Sequence, residues 1–172
     1  MSDDTRGDLK IRPATEEEAR ELSTWRNDPP YDVYDIGDES VEGNIEYLLG
    51  PETQCHVLVD ATDDLIGFCT FGSDARVPGG DYGVPALDIG LGIRPDRTGL
   101  GNGSRYVAAV ADFAAATFQP DQMRVTISEW NKRAQRVWEH AGFERTERFN
   151  TPEDFAGLGG GAFVVFVRST QR

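Results

Sequence analysis

A strand-like run that ends in a glycine-rich turn and continues as a helix dominates the middle of this chain. The run covers 86–93, and glycines stand at alternate positions 99, 101 and 103 before an apolar-periodic helix. Glycine lets the backbone approach a ligand closely and adopt conformations that other residues avoid. The exposed N–H groups at a helix N-terminus, together with the positive end of the helix dipole, favour an anion. The segment from Asp88 to Ala114 therefore predicts a phosphate-binding site.

The composition indicates one globular domain. The 172 residues, 38% of them hydrophobic and 27% charged, are enough to bury a core. We expect a polar tail over 1–8 and the domain over 9–172. No apolar run is long enough for a membrane span and the N-terminus lacks an apolar signal core, so we expect a cytoplasmic protein with no membrane partner. The formal net charge of −13 argues against a nucleic-acid partner, because like charges repel.

Hydrophobic periodicity and turn residues divide the chain into strands and helices. Thr15 and Glu18 form a capping-box pattern for the first helix, and Asn131 and Gly142 bound the last one. The predicted order is strand, two helices, three strands, helix, strand, helix and two strands. It implies an α/β (α+β) fold with a mixed, mostly antiparallel central sheet of about six to seven strands flanked by helices. The expected bounds are strands at 9–14, 55–61, 65–73, 86–93 and 123–130, a first helix that reaches about Trp25, and a second at 41–49.

Two nucleotide-binding patterns can be excluded for the glycine turn. A Walker-type loop requires Gly-Lys-Ser/Thr, whereas the chain has only two lysines, Lys10 and Lys132, both far from Gly99 to Ser104. The dinucleotide fingerprint requires G-x-G-x-x-G after the first strand of a βαβ unit. Here the spacing is G-x-G-x-G, deep in the chain and after an apparent run of antiparallel strands. The phosphate ligand of this turn is therefore expected to belong to neither of these two nucleotide-binding classes.

Three segments taken together identify a known family. They are IRPATEEEARELSTW near the N-terminus, RPDRTGLGNGS at the glycine turn and NKRAQRVWEHAGF beyond it. The second matches a pyrophosphate-binding turn usually written R/Q-x-x-G-x-G/A, and the third matches an Asn-x-x-Ala…Tyr-x-x-x-Gly-Phe helix. In this order they resemble the Gcn5-related N-acetyltransferase (GNAT) family over nearly the whole chain. The resemblance implies the acyl-CoA N-acyltransferase fold and acetyl-CoA as co-substrate.

The resemblance also implies where the cofactor is held. Its pyrophosphate would lie on backbone N–H groups of the glycine turn, and its pantetheine arm along the preceding strand, which splays from the strand that begins at Met123. Gly90 and Gly92 have the residue type for a bulge or for close packing. The implied cofactor residues are Leu91, Gly92, Ile93, Thr98, Gly99, Leu100, Gly101, Asn102, Gly103, Ser104, Asn131, Ala134 and Trp138.

Two positions depart from the family pattern. Thr98 replaces the arginine or glutamine that begins the turn, so we expect backbone N–H groups to hold the pyrophosphate, with charge from Arg97, Arg105 or Arg133. Trp138 replaces a tyrosine that often acts as general acid toward the departing CoA thiolate. An indole N–H cannot take that role, although a thiol with a pKa of about 8.5 leaves readily. We expect Trp138 to pack against the pantetheine arm or the core.

The implied reaction needs a general base, because attack on a thioester requires a neutral amine and most amines are protonated at neutral pH. Asp88 interrupts an apolar strand at a position where enzymes of the GNAT family often carry an acidic residue. It is therefore the first candidate for the base or for a group that anchors the amine. Pairing with an arginine is the alternative for Asp88. Glu129, at the end of the next strand, is the second candidate. No metal is expected, because His56 and His140 have no ligand cluster around them.

The acceptor is expected at the segment between the first two helices, which shapes the acceptor pocket in this family. Aromatic faces and carboxylates alternate there and suit a cationic amine, with a solvated acidic loop as the alternative. The resemblance implies that the acetyl group of acetyl-CoA is transferred to a primary amine of a small molecule or peptide, by direct attack in a ternary complex. The alternatives are an enzyme that uses a longer acyl-CoA and a non-catalytic acyl-CoA-binding module. A homodimer formed through the C-terminal strands is a further possibility that the sequence leaves open. The expected substrate-binding residues are Trp25, Tyr31, Asp32, Tyr34 and Asp35 of the segment between the first two helices, and Tyr82 of the loop at 79–82, which we expect to form the opposite wall.

Overall fold

The computed structural model describes residues 9–37, 40–152 and 161–170. Within these ranges the strands and helices follow the predicted order. The strands are β1 (Lys10–Pro13), β2 (His56–Val59), β3 (Leu65–Phe71), β4 (Leu87–Ile93), β5 (Gln122–Ser128), β6 (Glu144–Thr151) and β7 (Gly161–Ser169). The helices are α1 (Glu16–Leu22), α2 (Val41–Leu49), α3 (Gly103–Phe118) and α4 (Lys132–His140), with short 3₁₀ turns at Tyr31–Tyr34, Ser73–Ala75 and Pro95–Arg97.

A capping box and an ion pair fix the first helix to the first strand. The Glu18 backbone N–H donates to the Thr15 hydroxyl at 3.2 Å, and the Thr15 N–H donates to the Glu18 carboxylate at 2.9 Å. Arg12 donates two hydrogen bonds to the same carboxylate, at 2.7 and 2.9 Å, and this guanidinium lowers the pKa of Glu18. The predicted capping box is confirmed, although α1 ends at Leu22, before the expected limit near Trp25.

The strands form one mixed sheet in the order β1-β2-β3-β4-β5-β7-β6. Neighbouring strands are antiparallel except β4 and β5, which run parallel. These two strands pair only at Leu87–Met123 and Asp88–Arg124, whereas each continues along its other neighbour. The sheet therefore splits beyond Asp88. The expected fold class is confirmed, with the central strands splayed as the family resemblance implies.

Helices cover both faces of the sheet. Side chains alternate along β2, so Val57 and Val59 pack with α1 and α2, whereas Leu58 packs with Tyr106 of α3 on the other face. A larger cluster joins α3 and α4 to the central strands. Both cysteines are free and buried in these clusters, and burial raises the pKa of Cys55 to about 12. Between these two helical layers, the sheet is interrupted at the split between β4 and β5.

Candidate active site

A cavity of about 600 Å³ occupies the split between β4 and β5. Its walls include residues 89–93 of β4 and 125–127 of β5, which are the stretches beyond the last paired positions. The glycine turn and α4 form another part of the wall, and the segment between α1 and α2 forms a third. One cavity therefore brings the expected cofactor surface and the expected acceptor segment together.

The glycine turn presents backbone groups to this cavity. Gly99 and Gly101 have φ values of +71° and +82°, in the left-handed region that favours glycine. Helix α3 follows at once, and within the described structure the side chain of its N-cap residue, Asn102, makes no capping hydrogen bond. N–H groups at such a helix start suit a phosphate. The Thr98 hydroxyl donates to the Pro95 carbonyl at 2.8 Å, so it is used within the turn.

Arginine side chains add positive charge to the same region. Arg97, Arg133 and Arg136 all line the cavity. The Arg133 guanidinium lies over the Tyr31 ring, 4.2 Å from its centroid, and its Nη1 lies 3.7 Å from the place that a Cβ on Gly99 would take. Arg133 therefore links the glycine turn to the acceptor segment. Guanidinium groups with backbone N–H donors form an environment for an anionic cofactor.

Most of the expected cofactor residues line the cavity. Trp138 is buried and meets Phe143 edge-on, with 4.9 Å between ring centroids, so it belongs to the core as well as to the cavity wall. Leu100 and Asn102 are not part of the wall, and Leu100 is exposed. Those that line it are Leu91, Gly92, Ile93, Thr98, Gly99, Gly101, Gly103, Ser104, Asn131, Ala134 and Trp138.

Gly90 and Gly92 of β4 make room for side chains of β3. A Cβ on Gly92 would lie 2.3 Å from the Phe68 ring, and a Cβ on Gly90 would lie 2.5 Å from the Thr70 hydroxyl oxygen. The pairing of β3 with β4 runs continuously over residues 67–71 of β3. These glycines therefore serve close packing and not a bulge, and they let Phe68 and Thr70 reach the cavity wall.

Asp88, the first candidate base, lies inside the sheet and not on the cavity wall. Its side chain is 1% exposed. Arg124 donates to both of its carboxylate oxygens, at 2.7 and 2.8 Å, and Arg76 adds a third hydrogen bond at 2.9 Å. The Arg124 guanidinium lies over the Tyr82 ring, 4.8 Å from its centroid. The expectation of a base or amine anchor at Asp88 is corrected, because arginines engage both oxygens, which is the alternative that the sequence left open for this residue.

Three other expected site residues also lie away from the cavity wall. The Glu129 carboxylate accepts a hydrogen bond from Arg148, and this guanidinium lowers the pKa of Glu129. The Tyr82 hydroxyl accepts a hydrogen bond from the Val77 N–H at 2.8 Å. Asp32 is exposed on its 3₁₀ turn. Glu129 is thus committed to an arginine, and Tyr82 supports the packing around Arg124.

The remaining acceptor candidates do line the cavity. The Tyr34 hydroxyl donates to Ser128 Oγ at 3.0 Å and accepts a hydrogen bond from Asn131 Nδ2 at 3.3 Å. These two contacts tie the segment between α1 and α2 to the end of β5 and to the start of α4. The acceptor candidates found on the wall are Trp25, Tyr31, Tyr34 and Asp35.

A smaller cavity of about 430 Å³ adjoins the first and shares part of its wall. Asp35 lies on both walls, and its Oδ1 accepts hydrogen bonds from the backbone and side-chain nitrogens of Asn27, at 2.9 and 2.7 Å. The sequence analysis missed Phe68, Thr70 and Asp74, which also line both cavities. No local motif marks these three residues, because they meet the other walls only once β3 has paired with β4.

Nowhere in 9–37, 40–152 and 161–170 do His, Cys, Asp and Glu side chains cluster in a way that would hold a metal ion. No helix in those ranges combines the length and apolar character needed to cross a membrane.

Comparisons with known proteins agree with this geometry. The sequence matches the family model of the acetyltransferase (GNAT) domain over residues 8–144. A mutant of the spermidine N-acetyltransferase SpeG from Vibrio cholerae has a TM-score of 0.69 and 18% identity, covering 94% of this chain and 93% of that one. The aminoglycoside acetyltransferase AAC(6')-Ib in complex with coenzyme A and kanamycin has a TM-score of 0.71 and 20% identity, covering 95% and 96%. No curated protein sequence matches the chain.

Because their sequence identities are low, the two solved structures show only that the fold is shared. The match to the family model, in contrast, spans most of the sequence. It includes the glycine turn, the split strands and α4, which are the parts that build the cavity. The protein therefore belongs to the acetyltransferase (GNAT) family, whose enzymes use acetyl-CoA.

Proposed function

We propose that this protein transfers the acetyl group of acetyl-CoA to a primary amine of a small molecule or peptide, by direct attack in a ternary complex. The observation that carries the proposal is the single cavity in the β4–β5 split. One part of its wall offers arginines and a helix N-terminus, and another offers aromatic rings and carboxylates. An anionic cofactor and a cationic amine can therefore occupy one enclosure.

The residues of the cavity fit acetyl-CoA. Backbone N–H groups of the glycine turn, with Arg133 and Arg136, would hold the phosphates, since the Thr98 hydroxyl is used by the turn itself. Leu91 and Ile93 offer an apolar surface and an unpaired strand edge to the pantetheine arm. Acetyl-CoA supplies the acetyl group as a reactive thioester. The protein's contribution is to hold both reactants in one place, which removes much of the entropic barrier to their encounter.

The acceptor end of the cavity suits a cation. The rings of Trp25, Tyr31 and Tyr34 line it together with Asp35. Aromatic faces and a carboxylate attract an ammonium group more than a neutral one. The structural neighbours are named for acetylation of spermidine and of an aminoglycoside, both of which are small and cationic. These points favour a small-molecule amine over a peptide as the acceptor.

A thiol-release assay with acetyl-CoA and a panel of amines tests the proposal. The panel contains polyamines, aminoglycosides, amino acids and peptides with free N-termini. We expect turnover with at least one small cationic amine, and CoA binding by calorimetry. Binding without turnover on any amine would identify a non-catalytic acyl-CoA-binding module, and turnover only with a longer acyl-CoA would change the donor. Absence of CoA binding would contradict every version of the proposal.

A further inference from the structure

We propose that Asp74, on the 3₁₀ turn after β3, is the carboxylate that takes the proton from the acceptor amine. The inference rests on the proposed function and assigns the base that Asp88 and Glu129 are not placed to provide. It comes from the position of Asp74 between the two cavities and from the absence of any partner for its carboxylate in the described structure.

The turn that carries Asp74 lies against β4 where the sheet begins to split. The Gly72 N–H donates to the Asp88 carbonyl at 2.9 Å, so the chain leaving β3 is bound to the last paired position of β4. The Ala75 Cβ lies 3.7 Å from the place that a Cβ on Gly90 would take. Asp74 stands between these two contacts and lines both cavities. It therefore lies on the part of the wall that the two cavities share.

Other ionisable groups also line the two cavities. Asp35, the other carboxylate there, already accepts two hydrogen bonds from Asn27. None of the remaining groups is hydrogen-bonded or ion-paired to Asp74 within the described part of the chain. Those groups are Tyr34 and Tyr47 around the smaller cavity, and Tyr31, Arg97, Tyr106, Arg133, Arg136 and His140 around the larger one.

This environment gives Asp74 the properties of a base. Burial raises its pKa above the ordinary aspartate value, and no neighbouring cation acts in the opposite direction. A carboxylate with a raised pKa is a stronger proton acceptor, and its pKa lies closer to the pH at which the enzyme works. The Arg148 guanidinium has the reverse effect on Glu129, because it stabilises the ionised form.

The proposed step conserves atoms and charge. The acceptor enters as an ammonium ion, and Asp74 removes one proton, which it later releases to solvent. The neutral nitrogen then forms a bond to the thioester carbonyl carbon, and the carbon–sulfur bond breaks with its electron pair on sulfur. The second nitrogen proton ends on that sulfur as the CoA thiol. The net products are an acetamide, CoA and one proton.

The test compares Asp74→Asn with Asp112→Asn, a matched change on the exposed side of α3. Each is assayed with the best amine of the panel and with an analogue that carries a trifluoromethyl group on the carbon beside the amino group, whose nitrogen is mostly neutral at pH 7. We expect Asp74→Asn to lower kcat/KM for the ordinary amine by about 10²-fold or more, since general bases contribute about 10² to 10⁴. The loss should be much smaller for the fluorinated analogue. CoA affinity and the acetylation rate of Asp112→Asn should not change.

Further readouts separate a base from a structural residue. Asp74→Glu should recover part of the activity, and the acidic limb of the wild-type pH profile should be absent in Asp74→Asn. If Asp74→Asn does not fold, Asp74→Ser serves the same comparison. Equal losses on both amines, or unchanged kinetics, would overturn the inference. If the wild type turns over and Asp74→Asn has the same kinetics, only this inference is contradicted. If the wild type acetylates no amine, the proposed function is contradicted as well.

Discussion

The carboxylate of Asp88 and the guanidinium of Arg124 form a two-point ion pair at the last position that joins β4 to β5. Their side chains are only 1% and 4% exposed. Removing one member of a buried pair leaves an uncompensated charge, which typically costs 3–5 kcal/mol. We therefore expect Asp88→Asn to lower the free energy of unfolding by about 3 kcal/mol, measured by urea denaturation.

Arg76 provides the control for that prediction. It binds the same carboxylate, but its side chain is 43% exposed. Because solvent screens such a pair, Arg76→Ala should lower the free energy of unfolding by less than about 1 kcal/mol. A stable Asp88→Asn variant with a lost acidic limb in its pH profile would instead make Asp88 the base.

Arg133→Ala should weaken CoA binding by about tenfold, because the variant lacks a charge-assisted contact to a phosphate. The difference from wild type should shrink as salt is added, since salt screens the interaction. Calorimetry at two ionic strengths measures both effects. Arg20→Ala is the matched control, because Arg20 binds exposed glutamates on α1 and α2 away from the cavity. Equal affinities for the two variants would exclude Arg133 from the phosphate site.

Tyr34→Phe should raise the KM for the amine by about fivefold and leave CoA affinity unchanged. Its hydroxyl makes the two hydrogen bonds that tie the acceptor segment to Ser128 and Asn131, and a typical hydrogen bond contributes about 1 kcal/mol. Steady-state kinetics with varied amine tests this prediction. Val33→Ala, at an exposed position on the same turn, is the control. A fall in kcat without a change in KM would place the hydroxyl in the chemical step instead.

Glu18→Gln should destabilise the protein at neutral pH by about 1 kcal/mol, because glutamine keeps the capping geometry but loses the ion pair with Arg12. Arg12 lowers the pKa of Glu18 below its ordinary value of 4.5. The contribution is therefore fully present above that value and is lost as the pH falls through the lower, folded-state pKa. Unfolding curves of the two proteins should converge in acid. Glu17→Gln, on the exposed side of α1, should show no such convergence.

The fold and the cofactor side could be predicted from the sequence because their signals are local. Thr15 with Glu18 marks a helix start, and the left-handed conformations of Gly99 and Gly101 need glycine itself. The capping box, the element order and the mixed sheet are confirmed. Element ends are less accurate: β5 stops at Ser128, where the Asn131 N–H turns back to the Ser128 carbonyl at 2.9 Å.

The proton-transfer residues could not be predicted, because their environment is assembled from distant parts of the chain. Asp88 has the residue type of a base, but its two arginines come from the loop before β4 and from β5. Asp74 has no motif around it, and its burial depends on segments that approach only in the folded state. The sequence shows which residues carry a carboxylate, whereas strand pairing determines which groups each carboxylate contacts.

The shortness of the contact between β4 and β5 has a consequence for motion. Two residue pairs join a four-stranded unit, β1 to β4, to a three-stranded unit, β5 to β7. Strand edges that lack a partner lose their protection against amide hydrogen exchange. In the free protein, the backbone amides of β4 between Gly90 and Ile93 that do not pair with β3 should therefore exchange with solvent faster than those of β7. A ligand that fills the gap acts as an additional strand and slows this exchange, so deuterium uptake reports occupancy of the site without any turnover.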